Sequence, residues 1–334
     1  MITLESTSSI SPNIVSTIGD TPLVRLDNLF ESTSINLFGK LEAANPSGSL
    51  KDRTATYIIK QAMESGKIKK GDTVIESSSG NMALGLAQAC IFYGLHLVVV
   101  VDPKLNSHTE KLLITYGATI EYVRKPKLEG GFLAARLERV KQLLQEIPNS
   151  FWTNQYANPN NPMAHYKTME EIMSALEAKV DYLFVATSTC GTIMGCADYI
   201  LNNGLSTKVV AVDAEGSVLF GGRQKKRLIP GHGAGVPSNF LNVDKIWDHV
   251  AVTDIDCIKG CWLLLKKEGI LCGGSTGGVV SAIEEYMKKI PQNSNCVFLL
   301  SDRGERYLDT IYDKKWLLKE LPECKVAFEP INGW

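Results

Sequence analysis

The sequence predicts a parallel α/β protein of two lobes with a cleft between them, and three observations carry that prediction. Short β-rich runs alternate with helical patterns from about residue 70 onward. Several runs, such as LVVVV within residues 96–101 and YLFVA within 181–188, are apolar on both faces, so helices must cover both sides of the sheet. The chain also carries two breaks, Pro-Ser-Gly after Asn45 and the turn-rich PNSFWTNQYANPNNP from Pro148 to Pro162, which separate two sets of βα units.

In chain order, strands are expected at DTVIES, HLVVVV, ATIEYV, DYLFVATS, KVVAVDA, DHVAVT and NCVFLLS. Amphipathic or apolar helical stretches lie at 82–93, 107–116, 131–147, 163–178, 192–203, 254–268 and 277–290. A further helix begins near Lys51. There Pro46, Ser47 and Gly48 break the chain, Ser49 is suited to cap, and the run through Ile58 and Ile59 is amphipathic. A helix start favours anions, so a lysine there is disfavoured by up to about 1 kcal/mol. Either Lys51 is simply solvated, or its amine is kept neutral in order to react, as a Schiff-base lysine must be.

Bulk properties exclude several partner classes. The 334 residues carry 35 Lys plus Arg against 36 Asp plus Glu, a net charge of -1, without long blocks of like charge. Lys225 to Arg227 is too short a basic run to bind nucleic acid or an anionic membrane. The cysteines, Cys324 among them, lack CxxC spacing and read as reduced core thiols. Cys257 and Cys261 share a helix face, but no second Cys/His pair completes a metal site. The N-terminus lacks a leader's basic and apolar regions, and no apolar run is of membrane-spanning length, so a cytoplasmic location is expected.

Three loops stand between a strand and a helix. In IESSSGNMALGLA, the hydroxyls of Ser77, Ser78 and Ser79, the Asn81 amide and free backbone N–H groups meet a positive helix end. That suits a carboxylate, or the residues merely cap the helix. In VATSTCGTIMG, Thr187, Ser188, Thr189 and Thr192 supply hydroxyls and Gly191 permits close approach. The loop has neither a P-loop ending nor GxGxxG, so a monophosphate fits better than a nucleotide. LCGGSTGG, with Ser275 and Thr276 between glycine pairs, is an ordinary turn unless the other two loops share a ligand with it.

Together with IGDTPLVRL, NPSGSLKDR, NQYANPNNPMAHY and GERYL, these loops resemble the cysteine synthase and cystathionine β-synthase family of pyridoxal-phosphate (PLP) enzymes along nearly the whole chain. The resemblance implies the two-lobed fold-type II (tryptophan synthase β-like) arrangement. Residues 1–45 and 151–334 would form the larger, PLP-binding domain, and 46–150 a smaller mobile domain carrying Lys51 and the carboxylate loop. It implies a homodimer, Lys51 as the Schiff-base lysine, and Ser188, Thr189, Cys190, Gly191 and Thr192 as the phosphate cup. Asn81 would lie beside the cofactor's 3'-oxygen and Ser275 opposite its ring nitrogen. Ser78, Ser79, Asn81 and Gln155 would hold the substrate α-carboxylate. A neutral serine at the ring nitrogen makes a weaker electron sink than an aspartate partner, so elimination is favoured over transamination.

Within the family the chain departs from cysteine synthases at Tyr156, Ser188, Met82, Ala83 and His232, positions expected around the pocket. The added hydroxyls of Tyr156 and Ser188 suit a second substrate bulkier and more polar than sulfide. A GG-aromatic-L-x-x-R helix (Gly130 to Arg136), VDAxGSVxFG and DRGERYLD resemble the branch that opens 2,3-diaminopropionate formation in siderophore pathways. That branch joins the aminoacrylate from O-phospho-L-serine to the amine of L-glutamate; sulfide as nucleophile is the alternative. Arg136 is expected either at a substrate carboxylate or phosphate, or on the helix surface, and His108 and His165 to be structural.

Overall fold

The computed structural model describes residues 10–31 and 34–323; the extreme N-terminus and Cys324 lie outside the described residues. The chain runs through β1 (Leu23–Arg25), β2 (Asn36–Lys40), α1 (Lys51–Glu64), β3 (Thr73–Glu76), α2 (Asn81–Tyr93), β4 (His96–Val101), α3 (Ser107–Thr115) and β5 (Thr119–Tyr122). It continues through α4 (Gly131–Glu146), β6 (Ser150–Trp152), α5 (Asn160–Ala175), β7 (Tyr182–Ala186), α6 (Gly191–Asn202) and β8 (Lys208–Ala214). The last elements are β9 (Asp248–Val252), α7 (Asp254–Glu268), α8 (Gly274–Tyr286), β10 (Asn295–Leu299) and α9 (Lys314–Glu320).

Two sheets result. The larger has six strands in the order β1-β2-β10-β7-β8-β9, and the smaller has four in the order β5-β4-β3-β6. Every pairing is parallel except β1 with β2. All seven expected strands and the expected helices form, because their apolar residues can all be buried: in β4, Leu97 through Val101 are inaccessible. Three strands go beyond the expectation. β1 and β2 are short, and β6 lies inside the stretch read as turns, where Ser150 pairs with Thr73 and Trp152 with Ile75. Helix α5 also begins inside that stretch, with Pro162 in its first turn, where a missing N–H is harmless.

A buried ionic network joins the elements on which Lys51 rests. Arg53 donates to both oxygens of Glu42 (2.7 and 2.8 Å) and both of Glu171 (2.7 Å each), and Lys40 pairs with Glu171 at 2.7 Å. Burial alone would raise the Glu171 carboxyl, yet the bonds from Arg53 and Lys40 outweigh it and hold the pKa at about 2. Because this pKa lies below the carboxyl's ordinary value, the stabilisation is present above pH ~4.5 and lost as pH falls toward 2. Arg53→Met leaves the buried Glu42 carboxylate without a cation and Glu171 with Lys40 alone, and is expected to cost about 3 to 5 kcal/mol in urea unfolding at neutral pH. A loss below 1 kcal/mol would show that the network does not anchor α1.

Candidate active site

Lys51 opens α1 against the chain leaving β10. Leu50 N–H donates to the Ser301 carbonyl at 2.9 Å, Arg303 N–H to the Gly48 carbonyl at 3.1 Å, and Ser49 bridges to Asp302. Gly48, at φ +89°, makes the turn that brings these strands of chain together. Ser49 supports the first turn by accepting from Lys51 N–H at 3.2 Å, although Leu50 occupies the cap position. Gly85 of α2 lets the two helices touch, since a Cβ there would stand 3.1 Å from the Lys51 carbonyl. Partial withdrawal from water lowers the Lys51 ammonium's pKa to about 8, against the opposing pull of Cys190 and Asp302. Such a lysine offers free amine near neutral pH.

The carboxylate loop follows β3. Buried Glu76 accepts from Ser77 N–H (2.8 Å), Gln155 N–H (3.2 Å) and the Thr153 hydroxyl, which fastens the SSSGN loop to the NQYAN segment. Ser78 is buried, Ser79 and Asn81 are partly exposed, and Gln155 is buried with its amide 3.5 Å from the Ser77 carbonyl. Asn81 donates to Asp302 at 2.8 Å and accepts from Arg306, while the Tyr307 hydroxyl donates to Asp302 at 2.6 Å. Burial raises the Asp302 carboxyl above its ordinary range. Sequence reasoning assigned no role to Asp302, Arg306 or Tyr307; GERYL was legible only as a motif.

The phosphate-cup residues sit where β7 gives way to α6. Cys190 adopts a left-handed conformation (φ +65°) at the cap, turning the chain so that the first helical N–H groups face the loop. Asn161 braces it, donating to the Gln155 carbonyl (2.7 Å) and Thr189 Oγ1 (3.3 Å). Only a glycine fits at 191, because a Cβ there would fall inside the Asn161 amide. The Thr192 hydroxyl is committed to His165 Nε2 at 3.2 Å, which also meets Thr54 of α1 at 2.9 Å. Burial holds His165 well below its ordinary pKa, hence neutral and structural, as expected. The Ser188 and Thr189 hydroxyls and the helix N-terminus remain as donors, a set whose chemistry fits a phosphoryl group. Ser275 stands in the first turn of α8, next to Thr276, which accepts from Ser301 N–H at 3.0 Å. Lys51, both loops and Ser275 therefore face the C-terminal strand ends together.

Several pocket expectations change. Met82 and Ala83 are buried in the core over the smaller sheet, so they do not line the pocket. His232 is 1% exposed, with Nε2 3.1 Å from the Val212 carbonyl and Nδ1 3.4 Å from Cys257 Sγ; it packs behind the cup. Cys257 and Cys261 are free core thiols, as expected. Arg136 does not lie on the helix surface: its side chain is 13% exposed, its Nε lacks a hydrogen bond, and it faces Asp102 at 3.5 Å. Burial raises the Tyr156 phenol, with Arg136 and Arg227 pulling the other way. Arg227, set aside as part of a short basic run, thus joins the site.

The model of the family described as "Pyridoxal-phosphate dependent enzyme" matches residues 14–302. The chain is 45% identical over 311 residues to an N-(2-amino-2-carboxyethyl)-L-glutamate synthase of Ralstonia nicotianae, covering 93% of this chain and 92% of that protein. It is 43% identical to the protein of the same name from Cupriavidus metallidurans, covering 92% and 91%. The O-acetylserine dependent cystathionine beta-synthase of Helicobacter pylori superposes with a TM-score of 0.84 at 28% identity, over 91% of this chain and 100% of that one. The chain therefore belongs to the pyridoxal-phosphate dependent enzymes, in their fold-type II group, and uses pyridoxal 5'-phosphate as its cofactor.

Proposed function

We propose that this enzyme is an N-(2-amino-2-carboxyethyl)-L-glutamate synthase: phosphate leaves Cβ of O-phospho-L-serine and the amine of L-glutamate takes its place. The observation that carries this reading is a single juxtaposition. The start of α1, which carries Lys51, is tied to the hydroxyl-rich carboxylate loop through Asp302, which bridges to Ser49 and accepts from Asn81, and to the phosphate-type cup through His165, which meets both Thr54 and Thr192.

The donor set fits the cofactor. Ser188, Thr189, Cys190, Gly191 and Thr192 would hold its phosphate, Ser275 would face its ring nitrogen, Asn81 would stand beside its 3'-oxygen, and Lys51 would carry it. Bound there, pyridoxal phosphate draws electrons away from the substrate's Cα. Ser78, Ser79, Asn81 and Gln155 would orient the α-carboxylate through hydroxyl, amide and backbone donors. To do so, Asn81 would turn its amide N–H from the Asp302 carboxylate to the substrate carboxylate, one acceptor replacing another, while its oxygen can keep the bond from Arg306. The Lys51 amine then takes the Cα proton, a role that requires it free. The C–O bond at Cβ breaks with its electron pair on the departing phosphate, the glutamate nitrogen bonds to Cβ and releases a proton, and the Lys51 ammonium returns a proton to Cα. Tyr156 and Ser188 would add hydroxyls on that side, and Arg136 a cation. Residues 46–150 would move as the smaller domain against the larger one.

Further parts of the reading are a homodimer, supported by an open apolar groove along Val15, Ile18, Tyr57, Phe92 and Tyr93, and a cytoplasmic location, supported by free buried cysteines. Among the described residues no helix is long and apolar enough to cross a membrane. A place in 2,3-diaminopropionate and siderophore formation belongs to the same reading, supported by the sequence resemblance to that branch.

The test is a product assay by mass spectrometry. With O-phospho-L-serine and L-glutamate the enzyme is expected to release phosphate and form the N-linked product. Cysteine formed from O-phosphoserine or O-acetylserine with sulfide, and no product with glutamate, would establish the sulfhydrylase alternative instead.

A further inference from the structure

Arg227 differs in its bonding from the other buried arginine near the site. Arg53 spends its guanidinium on two carboxylates, whereas Arg227 donates one hydrogen bond, from Nη1 to the His232 carbonyl at 2.8 Å, and makes no ion pair among the described residues. The side chain is half-buried and lies along the 233–235 turn: an added Cβ would stand 2.5 Å from Nη1 at Gly233 and 3.7 Å from Nη2 at Gly235. That turn belongs to the wall of the cup, for Gly233 N–H donates to the Thr187 carbonyl at 2.7 Å, one residue before Ser188. Two carboxylates lie in the neighbourhood, and both are satisfied elsewhere. Asp254 accepts from Leu228 and Ile229 N–H at 2.9 and 3.3 Å, and Asp213 from the Thr187 hydroxyl at 2.8 Å and Ala214 N–H at 2.9 Å. A half-buried guanidinium with donors to spare beside the cup is placed to take an anion. Its charge, together with that of Arg136, acts on the Tyr156 phenol.

The four residues expected to bind the α-carboxylate of the first substrate belong to the carboxylate loop and to Gln155, whereas Arg227 lies along the 233–235 turn beside the cup. An additional cation beside Tyr156 is unnecessary for sulfide or a neutral amine, and suits an amine that brings a carboxylate of its own. We propose that Arg227 recognises the side-chain carboxylate of the attacking amino acid and so restricts the second substrate to acidic amino acids. The inference rests on the synthase reading above.

The experiment compares L-glutamate with L-glutamine as amine, each with O-phospho-L-serine, in wild type, Arg227→Gln and Arg227→Lys. In wild type, kcat/KM favours glutamate. Arg227→Gln is expected to lower kcat/KM for glutamate about tenfold or more, chiefly through KM, with a far smaller change for glutamine, so that the preference collapses. Arg227→Lys, which keeps the charge but not the fork, is expected to retain part of it. Equal losses for both amines would overturn the proposal and leave Arg227 as a brace for the His232 carbonyl. Should Arg227→Gln fail to fold, Arg227→Lys decides alone: a KM shift larger for glutamate supports the proposal, and equal shifts overturn it. A wild type that uses neither amine refutes the synthase reading itself, which is a distinguishable result.

Discussion

Replacing Lys51 with alanine is expected to yield a folded protein without covalently held cofactor and with turnover reduced about 10³-fold or more. Absorbance of the purified protein, followed by mass after borohydride reduction, checks the first part; phosphate release checks the second. Folding survives because Lys51 contributes little to the network around Arg53, which keeps its four bonds to Glu42 and Glu171. The pH dependence has a definite sign. Burial lowers the Lys51 pKa from 10.5 to about 8, so the reactive amine appears as pH rises through about 8. Cofactor uptake by the apoprotein should therefore climb with a midpoint near 8 and level off well before 10. The Asp302 charge opposes this lowering, so Asp302→Asn moves the midpoint down. A midpoint unmoved from an ordinary lysine's value would remove the basis for placing Lys51 at the chemistry.

Gly191→Ala is expected to weaken cofactor binding by about tenfold to 100-fold, the effect of an over-packing strain of about 1 to 3 kcal/mol. The added methyl must displace the Asn161 amide, and that amide holds the Gln155 carbonyl at 2.7 Å and Thr189 Oγ1 at 3.3 Å. One methyl therefore disturbs the cup and the NQYAN segment together. Asn161→Ala loses the same bonds but makes room, so the double variant should bind the cofactor no worse than Asn161→Ala alone. Strictly additive losses, measured by equilibrium titration with pyridoxal phosphate, would show that the clash is not the cause.

The sites legible in sequence were those whose chemistry is local. Lys51 stood out because a cation at a helix start conflicts with the helix dipole, and its surroundings lower its pKa in the same sense. The SSSGN and STCGT loops were visible because hydroxyls, glycine and a following helix occur within a few residues. Arg136 and Arg227 were ambiguous for the opposite reason. An arginine on an amphipathic helix or in a basic run looks solvated, and only the packing around it tells whether water reaches the guanidinium. His232 and Met82 erred in the other direction: as departures from the cysteine synthase pattern they were expected around the pocket, and the fold turned both into the core.

By itself the sequence determined the alternation of strands and helices, the apolar strands that demand cover on both faces, and the loops that present donors at helix N-termini, because each is set by a period or a short stretch of residues. The tertiary structure alone decided that Asp302 and Arg306 hold Asn81, that Asn161 makes Gly191 indispensable, and that Arg227 makes a single hydrogen bond among the described residues, to the His232 carbonyl. Those contacts join residues up to 225 positions apart, and their energies depend on which groups exclude water from one another, a quantity that no local pattern of residues contains.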